Sequence, residues 1–174
     1  MKIVVISGSP RKTANTQVMM KYVYDYAKSK NQDIKFINLS EGGIDYFCGP
    51  TENYSQTTLQ AAKDITDADV WIVGTPIYNS FFSSALKNLF EFVNYKNTAG
   101  KTAGLAILAS GNIGFTDVQT LLTQLMSYFR VVTNPKAVFM TADVIKDGQI
   151  ISENEKTRLR ELVDETMLLA SRPK

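Results

Sequence analysis

No histidine occurs anywhere in the 174 residues, and Cys48 is the only cysteine. The first absence removes Ser-His-Asp and Cys-His catalysis and every histidine-ligated metal centre. The second removes an intramolecular disulfide framework and any thiolate cluster, so a reducing cytoplasm is the expected location and no metal site is expected. Charge of one sign is equally scarce. The 19 basic and 17 acidic residues leave a net charge of +2, too little to indicate nucleic acid or an acidic membrane surface as a partner. Long hydrophobic runs are missing as well: Ile3 to Ile6 lacks the length and cleavage pattern of a signal peptide, and no segment approaches a membrane span.

What remains is an ordinary globular composition, 44% hydrophobic and 21% charged, with a length that fits one domain over residues 1–174. Short β-rich runs alternate with helical patterns. Lys2 to Ile6, Ile34 to Leu39, Val70 to Thr75, Ala103 to Ala109 and Ala137 to Thr141 read as five strands, several of them continuously apolar as in a buried parallel sheet. The clearest helix is Phe115 to Phe129, where Val118, Leu121, Leu122, Leu125 and Phe129 form one stripe. Thr16 to Lys30 offers Met19, Val23 and Tyr26; Ser84 to Tyr95 offers Leu86, Leu89, Phe90 and Val93. Glu153 to Ala170 offers Leu159, Leu162 and Val163, and Gln56 to Thr66 is weaker. Five β-then-α units in series imply right-handed crossovers and a three-layer α/β sandwich with helices on both faces. Ser40 to Ser55 reads as a loop, and Asp147-Gly148 as a tight hairpin turn.

Ligands of an open α/β sheet bind outside the carboxyl ends of the strands, where strand order reverses. Three loops there carry the chemistry. Ser7 to Thr16 joins a buried strand to a helix. In it Gly8 permits a tight turn, Ser9, Thr13, Asn15 and Thr16 donate hydrogen bonds, and Arg11 supplies a charge matched to phosphate beside the free N–H groups of a helix start. It matches neither G-x-x-x-x-G-K-[ST] nor G-x-G-x-x-G, so a monophosphate is expected. Pro76, Ile77, Tyr78, Asn79 and Ser80 form the second loop, whose stiff backbone suits the polar edge of a flat ring. Ser110, Gly111, Asn112, Ile113 and Gly114 form the third, where two glycines expose backbone N–H groups.

On these residues the chain resembles the NADPH-dependent FMN reductase family, flavodoxin-like proteins that include flavin, azo, quinone and chromate reductases. Ser7 to Thr16 is similar to the family's G-S-x-R-x-x-S-x-N-[ST] loop, Pro76 to Asn79 and Ala85-Leu86-Lys87-Asn88 to its P-x-Y-N and A-L-K-N segments, and Ser110 to Gly114 to its Gly-Gly-x-x-Gly motif. Ile77 in place of a frequent Glu, and Ser83-Ser84 in place of a proline, sit closer to the flavin reductase branch than to the azoreductases.

The resemblance implies a five-stranded parallel sheet in the order 2-1-3-4-5. It further implies FMN held by Ser9, Arg11, Asn15 and Thr16 with Gln17 adding a contact, NADPH or NADH as co-substrate, a small-molecule electron acceptor, and a homodimer or homotetramer. Hydride transfer between stacked rings needs no protein acid, base or nucleophile, which fits the missing histidines. Glu41, Asp45, Asp64, Asp67 and Asp69 are scattered acids, read as caps and surface. Tyr46, Phe47, Tyr54, Phe81, Phe82 and Phe115 serve either a planar substrate or ordinary core and subunit contacts. The alternative function is a non-enzymatic electron carrier like flavodoxin. Against it stand Arg11 and the slightly basic charge; a phosphatase of similar topology would need a nucleophilic Cys or Asp in the first loop, which has none.

Overall fold

In the computed structural model, which describes residues 1–30, 33–50 and 52–171, the apolar runs become the interior of a sheet. Its strands are β1 (Ile3–Ser7), β2 (Ile34–Asn38), β3 (Val70–Tyr78), β4 (Phe81–Phe82), β5 (Thr102–Ala109), β6 (Val132–Thr133) and β7 (Val138–Thr141), while β8 (Ile145–Lys146) and β9 (Gln149–Ile150) form a separate hairpin. Five helices cover it: α1 (Asn15–Lys30), α2 (Gln56–Asp67), α3 (Ser84–Glu91), α4 (Phe115–Tyr128) and α5 (Glu153–Ala170). The parallel order is β2-β1-β3-β5-β6, with β7 also paired to β5. Once the inserted β4 is counted, this is the expected 2-1-3-4-5 arrangement with its fifth position divided between two short strands.

Side chains alternate across the sheet as the two-residue repeat of a strand requires. Val4, Ile6, Trp71, Val73, Leu105 and Ile107 pack with Ile65, Leu86, Leu89, Phe90, Val118 and Leu122 of α2, α3 and α4. Ile3, Val5, Val70, Ile72, Ala106 and Leu108 meet Met19, Met20, Val23, Leu159, Leu162 and Val163 of α1 and α5 on the other face. Trp71, fully buried, satisfies its one polar atom by donating from Nε1 to the Ile65 carbonyl at 2.8 Å.

Four expectations change in detail. β3 runs on to Tyr78, so Pro76, Ile77 and Tyr78 are strand residues, and the second loop shrinks to the turn Asn79-Ser80 that returns the chain into β4. Both turn residues have positive φ, 50° and 65°, the geometry of a type I′ hairpin without its usual glycine. The expected fifth strand, Ala137 to Thr141, forms as β7, and a further short strand, β6, precedes it across Asn134-Pro135, where proline lacks the N–H that a ladder needs. Asn134 bridges the gap by donating its backbone N–H to the Ala103 carbonyl at 2.7 Å and accepting the Lys136 N–H at Oδ1 at 3.0 Å. α3 stops at Glu91 rather than Tyr95, with Asn94 capping a separate 3-10 turn over Tyr95–Asn97. Tyr26 is half-buried and sends its hydroxyl to Asp164 at 2.7 Å. The Asp147-Gly148 hairpin forms as expected, with φ of 49° and 71°.

The Ser40 to Ser55 loop, of which Thr51 lies outside the described residues, is pinned at Asp45. Its Oδ2 accepts the Ser55 N–H at 2.7 Å and the Thr58 hydroxyl at 2.9 Å. Asn88 of α3 holds the same stretch, donating to the Asp45 carbonyl at 2.8 Å and accepting the Phe47 N–H at 2.9 Å. The Ser55 and Thr58 donors favour the carboxylate form and lower the Asp45 pKa below its ordinary 3.8.

Gly8 has no positive φ, so its role differs from the expected turn. It lets β1 and β3 touch: its N–H donates to the Gly74 carbonyl at 2.8 Å, and a Cβ at Gly8 would stand 2.7 Å from that oxygen and 3.2 Å from the Leu86 Cβ. Gly8→Ala should therefore cost about 2 kcal/mol, whereas Gly111→Ala, where a Cβ meets open space, should stay within about 0.5 kcal/mol; urea unfolding of the two variants checks the difference. A depressed folded-state pKa stabilises above the unfolded value and loses that contribution as pH falls through the folded one. The stability gap between the parent and Asp45→Asn, present above pH 3.8, should thus close as pH drops further below 3.8. Thermal melts across that acid range test it.

Candidate functional site

The loop from β1 to α1 is organised around a buried serine. Ser9 is fully buried, and its hydroxyl accepts the Arg11 N–H at 3.3 Å and lies 3.0 Å from the Tyr78 hydroxyl. The Arg11 guanidinium sits over the same tyrosine, 4.7 Å from the ring centroid, a cation–π contact. One side chain from the end of β3 thus fixes both the turn and the exposed cation of the first loop. Tyr78 is thus engaged with the first loop while also lining the cleft described below.

The helix that follows starts after Ala14, whose carbonyl accepts the Gln17 N–H at 2.9 Å and whose side chain offers no cap. Serines cap three others: Ser55 for α2, Ser83 for α3 and Ser152 for α5, each accepting a first-turn N–H. Ala14 precedes α1 and has no side-chain oxygen, and Gly114 precedes α4 with no side-chain cap. The first N–H groups of a helix have no intrahelical acceptor, and together they attract an anion. Ser7, immediately before this loop, carries a buried hydroxyl oxygen without a hydrogen-bond partner, the one such side-chain atom among the described residues.

A cleft of about 180 Å³ opens at this point, at the carboxyl ends of β1, β3 and β5. Of the expected site residues it gathers Arg11, Thr13, Asn15 and Thr16 from the first loop, Pro76, Ile77 and Tyr78 from the end of β3, and Ser110 after β5. The others stand outside its wall. Ser9 lies behind Tyr78, Gln17 lines a neighbouring groove, and Asn79 and Ser80 form the exposed hairpin turn. Gly111 and Asn112 are exposed, and Gly114 precedes α4 beside Ile77, whose Cδ1 and Cγ2 would lie 3.7 Å from a Cβ placed at Gly114. Ala14, Leu108, Ala109 and Ala142 complete the lining. None of these four bears a chemical signal; Ala142 is legible only through its place after the fifth strand.

No carboxylate is among the residues lining the cleft, so the lining is one cation, hydroxyls, an amide and helix N–H groups facing an apolar wall. That donor set fits a phosphate monoester and has no fixed negative charge to repel it. The scattered acids are occupied elsewhere. Glu41 accepts from Asn38 at 3.1 Å, Asp64 from Gln60 at 2.8 Å and Asp69 from the Lys2 N–H at 2.8 Å, while Asp67 pairs with Lys63.

Residues 1–144 match the model of the NADPH-dependent FMN reductase family. An NADPH azoreductase of Bacillus sp. (strain OY1-2) is 30% identical over 173 residues, covering 95% of this chain and 90% of that protein. Among solved structures, an apo NADH:FMN oxidoreductase superposes with a TM-score of 0.79 at 21% identity, over 99% of this chain and 91% of that one. A WrbA-like flavodoxin of Agrobacterium tumefaciens gives a TM-score of 0.72 at 16% identity, over 99% and 98% of the two chains.

Proposed function

Because the chain belongs to the NADPH-dependent FMN reductase family, we propose that the cleft at the start of α1 holds the phosphate of FMN and that the protein is an NAD(P)H-dependent flavin reductase. The observation that carries this reading is the convergence of Arg11, the uncapped first turn of α1 and the ends of β3 and β5 on one cleft with no carboxylate in its wall. The cleft is smaller than the ~300–1,000 Å³ of common ligand sites. Its size suits the phosphate and ribityl chain, leaving the ring to the backbone edges at Ile77 to Ser80 and Ser110 to Gly114.

FMN held there would supply the redox chemistry between a nicotinamide and a small acceptor. The residues of the chain bind and position. Arg11 neutralises the phosphate from a guanidinium held over Tyr78; Thr13, Asn15 and Thr16 donate to the phosphate oxygens; Ser9 keeps the turn in shape. Pro76 and Ile77 make the wall on which the flavin is seated. The acceptor is a small planar molecule, a free flavin, a quinone or an azo compound, in keeping with the azoreductase relative. No helix of the described residues is long and apolar enough to cross a membrane. The cytoplasm is the location we propose, from the scarcity of cysteine. Residues 1–174 act as one domain in this reading.

A separate apolar groove of about 600 Å³ runs between β4, α3 and α4. Phe81 and Tyr128 are 57% and 63% exposed there, beside Phe82, Leu121 and Leu125. A patch of this kind is buried most simply by its own copy about a two-fold axis, so the protein assembles as a homodimer, with a homotetramer as the next step. β4 pairs with the end of β3, which makes that interface continuous with the flavin cleft.

Three measurements test these readings. The purified protein should show or acquire a flavin absorbance that NADPH or NADH bleaches anaerobically; bleaching by dithionite alone would favour the carrier. Arg11→Ala should weaken FMN binding by about 1.5–3 kcal/mol through loss of a charged hydrogen bond, read by calorimetric titration. For the assembly, Phe81→Asp with Tyr128→Asp should move the protein to monomer in sedimentation velocity, and a parent protein that is monomeric at every concentration removes the dimer.

A further inference from the structure

Tyr78 is the only aromatic residue lining the cleft, and it meets the first loop in two separate ways. Its ring lies under the Arg11 guanidinium, 4.7 Å from Cζ to the ring centroid. Its hydroxyl shares a hydrogen bond with the buried Ser9 Oγ at 3.0 Å, and that same oxygen accepts the Arg11 N–H at 3.3 Å. The side chain of Arg11 is thus tied to Tyr78 directly, and its backbone is tied through Ser9. We propose that Tyr78 is a positioning residue that makes the cleft selective for a phosphorylated flavin over an unphosphorylated one, by holding Arg11 in its anion-binding place before the ligand arrives. The proposal rests on the assignment of the phosphate to the start of α1.

Arg11 is exposed, and a long exposed side chain gives up much rotamer freedom when it clamps an anion. Stacked on a fixed ring, the guanidinium has lost part of that freedom already, so less is lost on binding. The kind of partner matters as well. Lys21, Lys63, Lys87, Lys136, Lys156 and Arg158 are each paired with a carboxylate, which cancels their charge locally. Arg11 is held by a ring, which attracts a cation without neutralising it. Its charge stays directed at whatever enters the cleft.

Tyr78 is itself firmly placed. It ends β3, paired across the hairpin with Phe81 of β4, and Thr75, three residues earlier, accepts the Ser83 N–H at 3.1 Å from beyond β4. The intervening Asn79-Ser80 turn holds φ of 50° and 65°, a conformation that costs a non-glycine residue energy and persists where its surroundings over-determine it. A strand end fixed from both sides delivers the ring and the hydroxyl to one place. With one ring face under a cation and the hydroxyl bonded to Ser9, Tyr78 serves the phosphate end of the cleft.

Fluorescence titration of FMN and riboflavin with the parent protein, Tyr78→Phe, Tyr78→Leu, Arg11→Ala and the Tyr78→Leu with Arg11→Ala double variant tests the proposal. Tyr78→Phe keeps the ring and drops the bond to Ser9, so it should weaken FMN about threefold to tenfold. Tyr78→Leu drops both contacts and should weaken FMN by more than about tenfold. Riboflavin has no phosphate and should stay within about twofold in both Tyr78 variants. Once Arg11 is alanine, Tyr78→Leu should cost FMN much less than it costs in the parent, the non-additivity of two residues acting through one another. Equal losses for FMN and riboflavin make Tyr78 a platform for the flavin ring and overturn the proposal. Additive losses with Arg11→Ala overturn it too, as does unchanged FMN affinity in Tyr78→Leu. Parent protein that binds FMN no better than riboflavin defeats the assignment of the phosphate site itself, a distinct result that removes the proposal with it. Far-ultraviolet circular dichroism confirms that the variants fold.

Discussion

The contact between Gly8 and Gly74 is the constraint on which the arrangement of the site depends. The chain leaves β1 for β2 on one side and later returns to β3 on the other, so the sheet reverses its direction of growth between β1 and β3. At the carboxyl end of that pair both strands carry glycine. Gly8 approaches the Gly74 carbonyl with room for Leu86 of α3 on one face, and Gly74 leaves room for Met20 of α1, whose Sδ would lie 2.1 Å from a Cβ there. Side chains at either position would force apart the strands or lift a helix. Because neither is present, the first loop lies directly against the end of β3, near enough for Tyr78 to hold Ser9 and Arg11.

Helix capping divides the molecule in the same way. Serine oxygens satisfy the starts of α2, α3 and α5, where a cap is commonly worth about 1 kcal/mol. The cleft-side helix α1 lacks such a residue at Ala14, and α4 has glycine in that place. If the proposed phosphate sits at the start of α1, it would supply there what a capping serine supplies to the other helices. A ligand that satisfies the N–H groups there also stabilises the fold, since whatever binds the native state alone shifts the folding equilibrium toward it.

Much of this was legible in the residues. The apolar runs located every main strand, the Leu and Val spacing located α4, and Asp147-Gly148 marked its turn, because each signal is local and repeats with the period of the structure it makes. Arg11, Thr13, Asn15 and Thr16 were legible for the same reason: a loop's place between strand and helix is a local fact. Contacts between distant segments were not. Nothing local in the sequence joins Tyr78 to Ser9, 69 positions away, until the fold brings their hydroxyls together. The turn at Asn79-Ser80 carries no glycine to announce its positive φ, and Pro76 suggested a loop although β3 continues through it to Tyr78, there paired with β4. Gly8 was recognised as necessary for a turn, but its need arises from a neighbour 66 positions on.

The surroundings of the cleft then limit what chemistry it can perform. Its wall offers no imidazole, because the chain has none, and no carboxylate. Proton transfer by an imidazole or a carboxylate, the commonest groups for enzymatic acid–base catalysis, is therefore not offered by the cleft wall. The one cation in the lining, Arg11, offers a planar donor fork to an anion. Such a site gains by holding a cofactor whose own ring does the chemistry, and the exposed apolar groups at the opposite end of the edge, Phe81 and Ile113, fit that division. In the reading proposed above, charge would anchor the phosphate on one side and leave the ring end of the edge to apolar surface, keeping the phosphate anchor out of the reaction.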